Sequence, residues 1–509
     1  MVGSRMVEAL GALSLATDSS VGFPPETALR TALCAGRVAR ALGADERAVR
    51  ASFDAGLLRF LGCTAVAHEA AGLAGGDDIG FLALYGDVDF GDPMAVVGRT
   101  VRRLAADQPL VKRARSVARF LSDPKGGDKV AEAHCTLARE LARQVGMPPD
   151  VLEVLGHMYE RWDGRGPQRV RGDALSLATR VVHAAHVCEV FARGGPARAA
   201  SELARRSGGH FDPAVVRVVV REVVAITRGL DQPSVWDDFL AEEPAPWREL
   251  TDRTEIARAF ATFVDVKSPF TLTHSPRVAE LATAALEELG GSAAACADLE
   301  AAALLHDLGR AGVPNGIWDK PGELNAVEWT RVREYVQATE RVLTQSPLLA
   351  PLAELACSDH ERCDGSGYPR RVPRSMLSLE ARVLGAADVY AALQEERAHR
   401  RALSRQRAAS VLTEEARAGR LCPTAVEAVL AADGQRRRAP RAHPNELTDR
   451  EVDVLCLVAR GLTNKEVADR LKISPRTVQT HLAHVFDKTG TRTRAGVAMF
   501  AAAHGLGVQ

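Results

Sequence analysis

Several features that would assign the sequence quickly to a class of protein are missing from its 509 residues. The nine cysteines are scattered without a CxxC pair, which favours reduced thiols over a disulfide framework. Aromatic residues are few at 5%, and Lys+Arg and Asp+Glu balance at 65 each, so any affinity for nucleic acid must come from a local patch. No apolar run is long enough to cross a bilayer, and no signal-peptide pattern opens the chain. We therefore expect a cytoplasmic protein with no membrane partner.

Helical periodicity dominates what is present, and alternating β-branched runs are few. A chain of this length exceeds what one hydrophobic core supports, so about three domains are expected. Two proline-containing stretches, 231–249 and 433–446, are typical of linkers. We predict an all-α protein with domains at 1–235, 251–432 and 446–509. The arginine run at 436–438 is expected to be solvated, with non-specific phosphate contact as the alternative.

The first two blocks repeat each other. The 33 residues from His134 align without a gap with those from Tyr335, and both contain an ER-DG-G core. Upstream, FDAGLLRFLG matches LEAAALLHDLG, and downstream LSLATRVVHAAHVCEVF matches LSLEARVLGAADVYAAL. Three matches in the same order favour two copies of one helical bundle over two unrelated bundles that share a turn.

The last block has the pattern of a helix-turn-helix domain. Two capping boxes, Thr448–Glu451 and Thr463–Glu466, each open an amphipathic helix. Ser474 and Pro475 then open a third helix, which Gly490 ends. Apolar residues at helical spacing form the predicted buried stripe of that helix: Val478, Leu482, Val485 and Phe486. Its polar outer face is the kind that enters the major groove of DNA.

This block resembles the LuxR-type (GerE-like) DNA-binding domain, a four-helix module that usually dimerises through its last helix. The match runs from LTDRE through SPRTVQTHLAHVFDKTG. By position, the resemblance implies that base edges are contacted by Gln479, Thr480 and Ala483. It assigns phosphate contacts, which set register without reading sequence, to Lys465, Arg476, Thr477 and Lys488. The implied partners are double-stranded DNA and a second copy of the chain, paired through TRAGVAMFAAAHG; a solvated helix in a regulatory bundle is the alternative.

The middle block places metal-competent side chains on the apolar faces of three separate predicted helices. His274, His306 and Asp388 each share a face with apolar neighbours, and Asp307 adjoins His306. A carboxylate on such a face is costly to bury unless it is paired or bound to a cation. A lone histidine there would be a core residue, but two histidines and two aspartates from three helices indicate a metal site. Mixed imidazole and carboxylate ligands suit Mn, Fe, Zn or Mg.

The middle block resembles the HD superfamily of metal-dependent phosphohydrolases and, within it, the HD-GYP phosphodiesterases that open cyclic di-GMP. HDLGR stands where the family has HD-x-GK, and HERCDGSGYP carries the family's Gly-Tyr-Pro. The resemblance assigns a one-metal site to His274, His306, Asp307 and Asp388. In an active enzyme His306 and Asp307 would be catalytic. The implied ligand-binding residues are Arg310, Tyr368 and Pro369.

This sequence departs from the family pattern at the positions of a second ion. Three further histidines are expected there, and the sequence has Tyr335, Asp359 and His360. A neutral phenol is a poor substitute for imidazole, so we expect one divalent ion, with Asp359 and His360 as additional candidate ligands. Arg310 replaces the family's lysine, which keeps the charge but not the geometry. Because two-metal hydrolysis clamps both reacting oxygens, the loss of one ion disfavours turnover of cyclic di-GMP.

The first copy has lost more of the pattern. Its seven corresponding positions are Thr27, Arg59, Phe60, His134, Met158, Tyr159 and His186. Two histidines without a carboxylate do not make this family's site, so this copy is predicted to be a scaffold or a dimer surface. Asp163, like Asp364 in the second copy, is predicted to cap or orient a turn.

Three functions are compatible with these patterns. In the first, the HD-GYP-like tandem senses a ligand, such as the nucleotide cyclic di-GMP, and controls a transcription regulator's LuxR-type domain. In the second, the chain is a metal-dependent phosphohydrolase or cyclic-dinucleotide phosphodiesterase coupled to DNA binding. In the third the tandem is only an oligomerisation scaffold, which gives no reason to bury the ligand set. No P-loop, receiver domain or PAS-like strand pattern indicates ATP or phosphotransfer as the input.

Overall fold

The protein is described from a computed structural model over residues 5–106, 108–123, 126–245, 248–249, 252–436, 443–504 and 506. Within these ranges the chain forms helices, with isolated β-bridges and no β-strand, which confirms the all-α prediction. None of the helices in these ranges combines the length and apolar character that a bilayer crossing requires. Of the predicted linker 433–446, residues 433–436 instead end a helix and Pro444–Glu446 form a short 3₁₀ turn, while 437–442 lie outside the described residues. Two compact units are present, Met1–Thr251 and Asp252–Gln509.

The first unit is a helical bundle around α2, which packs against α3 and α10. Its helices are α1 (Met6–Ser20), α2 (Thr27–Ala41), α3 (Glu46–Leu58), α4 (Ala67–Ala74), α5 (Asp78–Tyr85), α6 (Pro93–Arg103), α7 (Leu110–Ser122), α8 (Gly126–Gln144), α9 (Pro149–Gly156), α10 (Leu177–Ala192), α11 (Pro196–Arg205), α12 (Pro213–Ile226) and α13 (Trp236–Ala241). Helices α4–α7 connect α3 to α8 in the first copy. The corresponding connection in the second copy is much shorter.

Part of the stretch expected to be a linker, 231–249, is instead packed into the first unit. Helix α13 buries Phe239 completely, and its ring stacks on Phe53 with centroids 5.3 Å apart. Glu242, just beyond α13, pairs with Arg37 at 2.7 Å. The prolines and acidic residues suggested a solvated segment, but a few apolar residues at helical spacing are enough to anchor a short helix to a core.

The second unit begins with a bundle in which α15 packs against α16, α20 and α22. Its helices are α14 (Arg253–Asp265), α15 (His274–Glu288), α16 (Ala293–Leu305), α17 (Asn315–Trp318), α18 (Ala326–Thr344), α19 (Ala350–Ala356), α20 (Leu379–Gln394), α21 (Arg405–Arg417) and α22 (Pro423–Arg436). A short 3₁₀ turn, Leu308–Gly312, follows α16 and packs against α18. The apolar faces of α15, α16 and α20 face one another, which brings their few polar residues into one core.

Four helices complete the second unit: α23 (Asp449–Ala459), α24 (Asn464–Leu471), α25 (Pro475–Thr489) and α26 (Arg494–Ala503). Both predicted capping boxes are formed, since the Thr448 and Thr463 side chains and their partner glutamates satisfy each other's backbone N–H groups. Lys472 ends α24 in the left-handed region with φ 54°, which makes the tight turn before α25. Gly490 ends α25 with φ 68°, as predicted.

Candidate metal centre and DNA-contacting surface

His274 is held at the first position of α15 by the backbone before it. Thr273 has φ 70°, which turns the chain sharply into the helix. The buried Asp265 caps this start, because its carboxylate accepts hydrogen bonds from the backbone N–H and the hydroxyl of Ser275, each at 2.8 Å. The imidazole is 2% exposed, and its Nε2 lies 3.2 Å from Asp388 Oδ1. The start of α15 therefore directs a metal-competent nitrogen into the bundle core.

His306 ends α16 with a defined tautomer. Its Nδ1–H donates to the Ala303 carbonyl oxygen at 2.7 Å, which leaves the lone pair on Nε2. That nitrogen is buried and has no hydrogen-bond partner in the part of the chain that is described. It lies 3.6 Å from Asp307 Oδ2 and 3.8 Å from Asp388 Oδ1. A buried lone pair that faces two carboxylates is an arrangement that a cation between them would satisfy.

Asp307 is shared between this cluster and Arg310. The Arg310 guanidinium pairs with the Asp307 carboxylate, and its Cζ lies 4.1 Å from the centroid of the Trp318 ring. Burial raises the pKa of Asp307, but the positive charge of Arg310 outweighs it and holds this pKa well below its usual range. Asp307 is thus ionised and available to a cation, and Arg310 places a fixed positive charge beside the site.

The predicted second-ion positions adjoin the same cluster. The Tyr335 hydroxyl lies 2.8 Å from His360 Nε2 and 3.4 Å from Asp359 Oδ2. His360 Nδ1 lies 3.8 Å from Asp388 Oδ2. Asp359 is fully buried, and burial raises its pKa to about 7. Where the family pattern has a histidine, Tyr335 therefore provides a hydroxyl that hydrogen-bonds to His360. One carboxylate oxygen of Asp359 has no hydrogen-bond partner among the described residues.

These donor atoms fit a divalent ion. In each of three overlapping sets, one donor atom per residue lies within 4.8 Å of the others: His274, His306 and Asp388; His306, Asp307 and Asp359; Asp359, His360 and Asp388. An ion with bonds of about 2.0–2.2 Å keeps its ligands within about 4 Å of one another. The structure brings together all six residues that the sequence suggested, and three of them are carboxylates whose mutual repulsion a cation would relieve.

Glu395 belongs to this site and was not predicted from the sequence. It follows α20, and its carboxylate accepts a hydrogen bond from His274 Nδ1–H at 3.0 Å and from Arg397 at 2.7 Å. A carboxylate on the second ring nitrogen of a ligating histidine orients the ring and increases its basicity. Burial lowers the pKa of His274, but Glu395 and Asp388 outweigh it and raise this pKa to about 10. The sequence contained a signal, because Glu395 stands seven residues after Asp388, the spacing of two helical turns, although its backbone is extended beyond the end of α20.

The Gly-Tyr-Pro turn lies against the site. The Tyr368 ring packs on His360 with centroids 4.6 Å apart, and a cis peptide bond joins Tyr368 to Pro369. The buried Glu361 carboxylate accepts hydrogen bonds from the backbone N–H groups of residues 370–372, at 2.6, 3.2 and 3.2 Å. Glu361 therefore holds the turn while Tyr368 covers the imidazole.

The corresponding positions of the first copy are filled by packing. Phe60 meets His186 edge-on, with centroids 5.6 Å apart. His134 Nε2–H donates to the Arg59 carbonyl oxygen at 2.9 Å, and the Thr27 hydroxyl donates to a backbone carbonyl at 2.6 Å. In the described part of this copy, no three His, Cys, Asp or Glu side chains form a metal-sized group.

Helix α25 presents the predicted reading residues on its solvent face. Its apolar stripe is buried, with Val478 and Val485 at 0% exposure and Leu482 at 7%. Gln479, Thr480 and Ala483 are exposed on its other side, Arg476 and Thr477 are exposed in its first turn, and Lys465 is exposed in α24. Six of the seven predicted DNA-contacting side chains are thus accessible together.

Lys488, the seventh predicted contact, is engaged inside the domain. Its ammonium donates to Glu451 at 2.7 Å and to the Glu446 carbonyl oxygen at 2.9 Å. Burial raises the pKa of Glu451, but the hydrogen bonds from Lys488 and Thr448 outweigh it and lower this pKa to about 2. Lys488 therefore anchors α25 to the start of α23.

Comparison with known families divides the second unit into two matches. The HD domain family matches residues 258–424, and the luxR family of bacterial regulatory proteins matches residues 445–501. The chain is 31% identical to 3'3'-cGAMP-specific phosphodiesterase 3 of Vibrio cholerae serotype O1 over 417 residues, which cover 80% of this chain and 90% of the relative. That alignment is longer than the second unit and extends into the first copy.

Two further relatives are similar over different spans. A cyclic di-GMP phosphodiesterase of Thermotoga maritima is 32% identical over 148 residues, which cover 29% of this chain and 39% of that enzyme. The crystal structure of a cyclic GMP-AMP-specific phosphodiesterase of V. cholerae superposes with a TM-score of 0.57 at 27% identity, covering 85% of this chain and 98% of that one.

Proposed function

Because the chain belongs to the HD-GYP family of HD-domain proteins and ends in a LuxR-family domain, we propose that it is a DNA-binding transcription regulator controlled by its HD-GYP-like tandem. The tandem, domains 1–235 and 251–432, would sense a cyclic dinucleotide and control the DNA-binding domain, 446–509. The cluster of buried metal-competent side chains around His306 Nε2, which has no hydrogen-bond partner among the described residues, carries this proposal. A scaffold alone would gain nothing from burying such a cluster.

We propose that one divalent ion, Mn, Fe, Zn or Mg, is held by His274, His306, Asp307 and Asp388, with Asp359 and His360 as additional ligands. When bound, the ion would supply Lewis-acid polarisation of a phosphodiester. Glu395 orients His274, and the Ala303 carbonyl fixes the tautomer of His306. Arg310 would bind a phosphate of the nucleotide, and the ring of Tyr368 with Pro369 would line its path.

The test combines metal content with DNA binding. Elemental analysis of the full chain should find about one ion, which Asp307→Ala removes. DNA affinity, measured by fluorescence anisotropy, should change when 3'3'-cGAMP or cyclic di-GMP is added to the manganese-loaded wild type but not to Asp307→Ala. A nucleotide response that is equal in the two proteins would contradict sensing through this site.

DNA binding would occur as a homodimer. Gln479, Thr480 and Ala483 would contact base edges, and Lys465, Arg476 and Thr477 would contact phosphates. Lys488 would do so only by giving up its hydrogen bonds to Glu451 and Glu446. Arg476→Ala should weaken binding similarly on all sequences and reduce its salt dependence, whereas Gln479→Ala should weaken binding and relax specificity by about 1–3 kcal/mol. Equal affinity of both variants and wild type for duplex DNA would contradict this surface.

A second candidate function is hydrolysis of a cyclic dinucleotide by His306 and Asp307. The similarity to a 3'3'-cGAMP-specific phosphodiesterase over 90% of that enzyme's length favours it. Incubation of the manganese-loaded chain with 3'3'-cGAMP and cyclic di-GMP, followed by chromatography for linear products, tests it. Linear product that is absent with Asp307→Ala would support hydrolysis by this site. Absence of product from the wild type at high protein concentration would favour ligand sensing without hydrolysis.

A further inference from the structure

The loop that orients a metal ligand also contacts the LuxR-family domain. Glu395 accepts from His274, and the next residue, Glu396, accepts a hydrogen bond from Arg470 at 2.8 Å. The other carboxylate oxygen of Glu396 lies 3.9 Å from Arg460. Arg460 follows α23 and Arg470 lies in α24, so both arginines belong to the LuxR-family domain. Two consecutive glutamates therefore join the metal centre to that domain.

The segment that leads into His274 makes a second connection. Leu272, two residues before this ligand, is 7% exposed and belongs to the hydrophobic cluster formed by the LuxR-family domain, which includes Val458 and Phe500. Val266 packs against the same cluster. The LuxR-family domain thus contacts Leu272, two residues before His274, and Glu396, the residue after the glutamate that accepts a hydrogen bond from His274.

Helix α26 is covered from two sides. It packs against α23 of its own domain and against α14 of the HD domain. Six of its ten residues are buried: Gly496, Val497, Met499, Phe500, Ala501 and Ala502. A helix packed only against its own domain buries one stripe at i, i+3 and i+4, whereas these residues extend around more of the circumference. The helix expected to pair with a second copy is occupied within the chain, while the reading face of α25 stays exposed.

We propose, resting on the function proposed above, that the metal centre regulates DNA binding by stabilising this docked arrangement through Glu395 and Glu396. A cation on His274 Nε2 fixes the imidazole, whose Nδ1–H fixes Glu395, and this places Glu396 between the two arginines. Undocking frees α26 for a second copy, which provides the dimer that binds DNA. Reciprocity then requires that docking strengthens metal binding by the same factor by which metal favours docking.

The experiment breaks the link without touching a metal ligand. Glu396→Arg places a positive charge beside Arg460 and Arg470, and Glu396→Arg/Arg470→Glu restores an opposite pair. Glu414→Arg, at an exposed position of α21, is the matched control. Three properties of the full chain are measured: manganese affinity by calorimetry, amide exchange of α26 by mass spectrometry, and DNA affinity with and without manganese.

Glu396→Arg should weaken manganese binding about fivefold, speed amide exchange in α26, and tighten DNA binding while reducing its response to manganese. The double variant should recover most of each property, and Glu414→Arg should match the wild type. Wild-type manganese affinity and α26 exchange in Glu396→Arg would overturn the inference. Wild-type protein that bound neither manganese nor DNA would contradict the proposed function, and this inference with it.

Discussion

The two HD-GYP-like copies share the same backbone features, although among the described residues only the second has a group of side chains that could hold a metal ion. Glu26, with φ 65°, and Thr273, with φ 70°, each turn the chain into a helix. Asp18 and Asp265 are both buried, and each caps that helix by accepting a hydrogen bond from the N–H of its second residue. Burial raises the pKa of both carboxyl groups. Both copies therefore have the capping aspartate, whereas the first residue of the capped helix is Thr27 in the first copy and His274 in the second.

The turn that follows the site likewise has the same backbone hydrogen bonds in both copies but a different sequence. Asp163 in the first copy and Asp364 in the second each accept a hydrogen bond from a backbone N–H two residues later, at 3.0 Å, so both cap the turn as predicted. Arg169 and Arg371 both have positive φ, 61° and 56°. The first copy lacks the tyrosine of Gly-Tyr-Pro but keeps the turn's hydrogen bonds.

The ligand positions differ completely. In the first copy Phe60 and His186 pack with Phe23, and burial lowers the pKa of the Arg59 guanidinium to about 10. In the second copy the same positions carry Asp307, Asp388 and His306. Caps, turns and close backbone contacts outside the candidate ligand set therefore specify this fold, so the bundle can form without the metal-competent side chains.

Substitution of a candidate ligand in each copy tests whether metal binds only to the second. Asp388→Ala should lower manganese affinity by more than about 100-fold, since it removes an ionised ligand that faces both histidines. His186→Ala, the matched substitution in the first copy, should leave metal content unchanged. Calorimetry and elemental analysis measure both. Metal retained by Asp388→Ala, or lost by His186→Ala, would break the distinction between the copies.

How far the sequence could predict this site depends on the range of the interactions. The capping boxes at Thr448 and Thr463 are local, because each links residues three apart, and both were predicted. The ligand set could also be predicted, since His274 and Asp388 interrupt apolar helical stripes. The contact of Glu396 with Arg470 joins residues 74 positions apart through surface complementarity, which no periodicity encodes. The helix around Phe239 was missed because it has only six residues and lies in a stretch that contains several prolines and acidic residues.

A close backbone contact shared by both copies gives the next prediction. A Cβ at Gly62 would overlap the His134 carbonyl oxygen, and one at Gly309 would overlap that of Tyr335. Alanine at either position should therefore destabilise its own copy by about 3 kcal/mol, through forced separation of packed segments. Amide exchange of the full chain, followed by mass spectrometry, shows which copy has lost stability. Gly72→Ala in α4, where a Cβ meets no atom within 4 Å, should be neutral or slightly stabilising.

Acid should destabilise the first copy through its buried histidines. Burial and the nearby Arg59 lower the pKa of His134 to about 3, and burial lowers that of His183 to about 4. Because the folded state binds fewer protons than the unfolded state, this stability is fully present above about pH 6.5, decreases as pH falls below that value, and is completely lost once pH has fallen through the folded values. At pH 5 each histidine should lower the free energy of unfolding of the first copy by about 2 kcal/mol.

Amide exchange of the first unit between pH 7 and pH 5, corrected for the intrinsic exchange rate, measures this loss. Burial also lowers the pKa of His186 and His210. His134→Gln should therefore remove about one of four such contributions to the pH dependence, because an amide does not titrate. A first unit whose stability stays constant over this range would show that these imidazoles are protonated when folded, contrary to their burial.

The smallest expected effect concerns the turn that both copies keep. The Glu160 carboxylate accepts from the backbone N–H groups of Gln168 and Val170, at 2.6 and 3.0 Å, as Glu361 does from its own turn. Replacing either glutamate by glutamine turns one acceptor oxygen into an N–H donor that faces backbone donors, and should lower stability by about 1–2 kcal/mol. If the turn is structural in both copies, Glu160→Gln and Glu361→Gln should cost similar stability by denaturant unfolding. A much larger effect of Glu361→Gln on metal affinity than on stability would instead assign this turn to the metal centre.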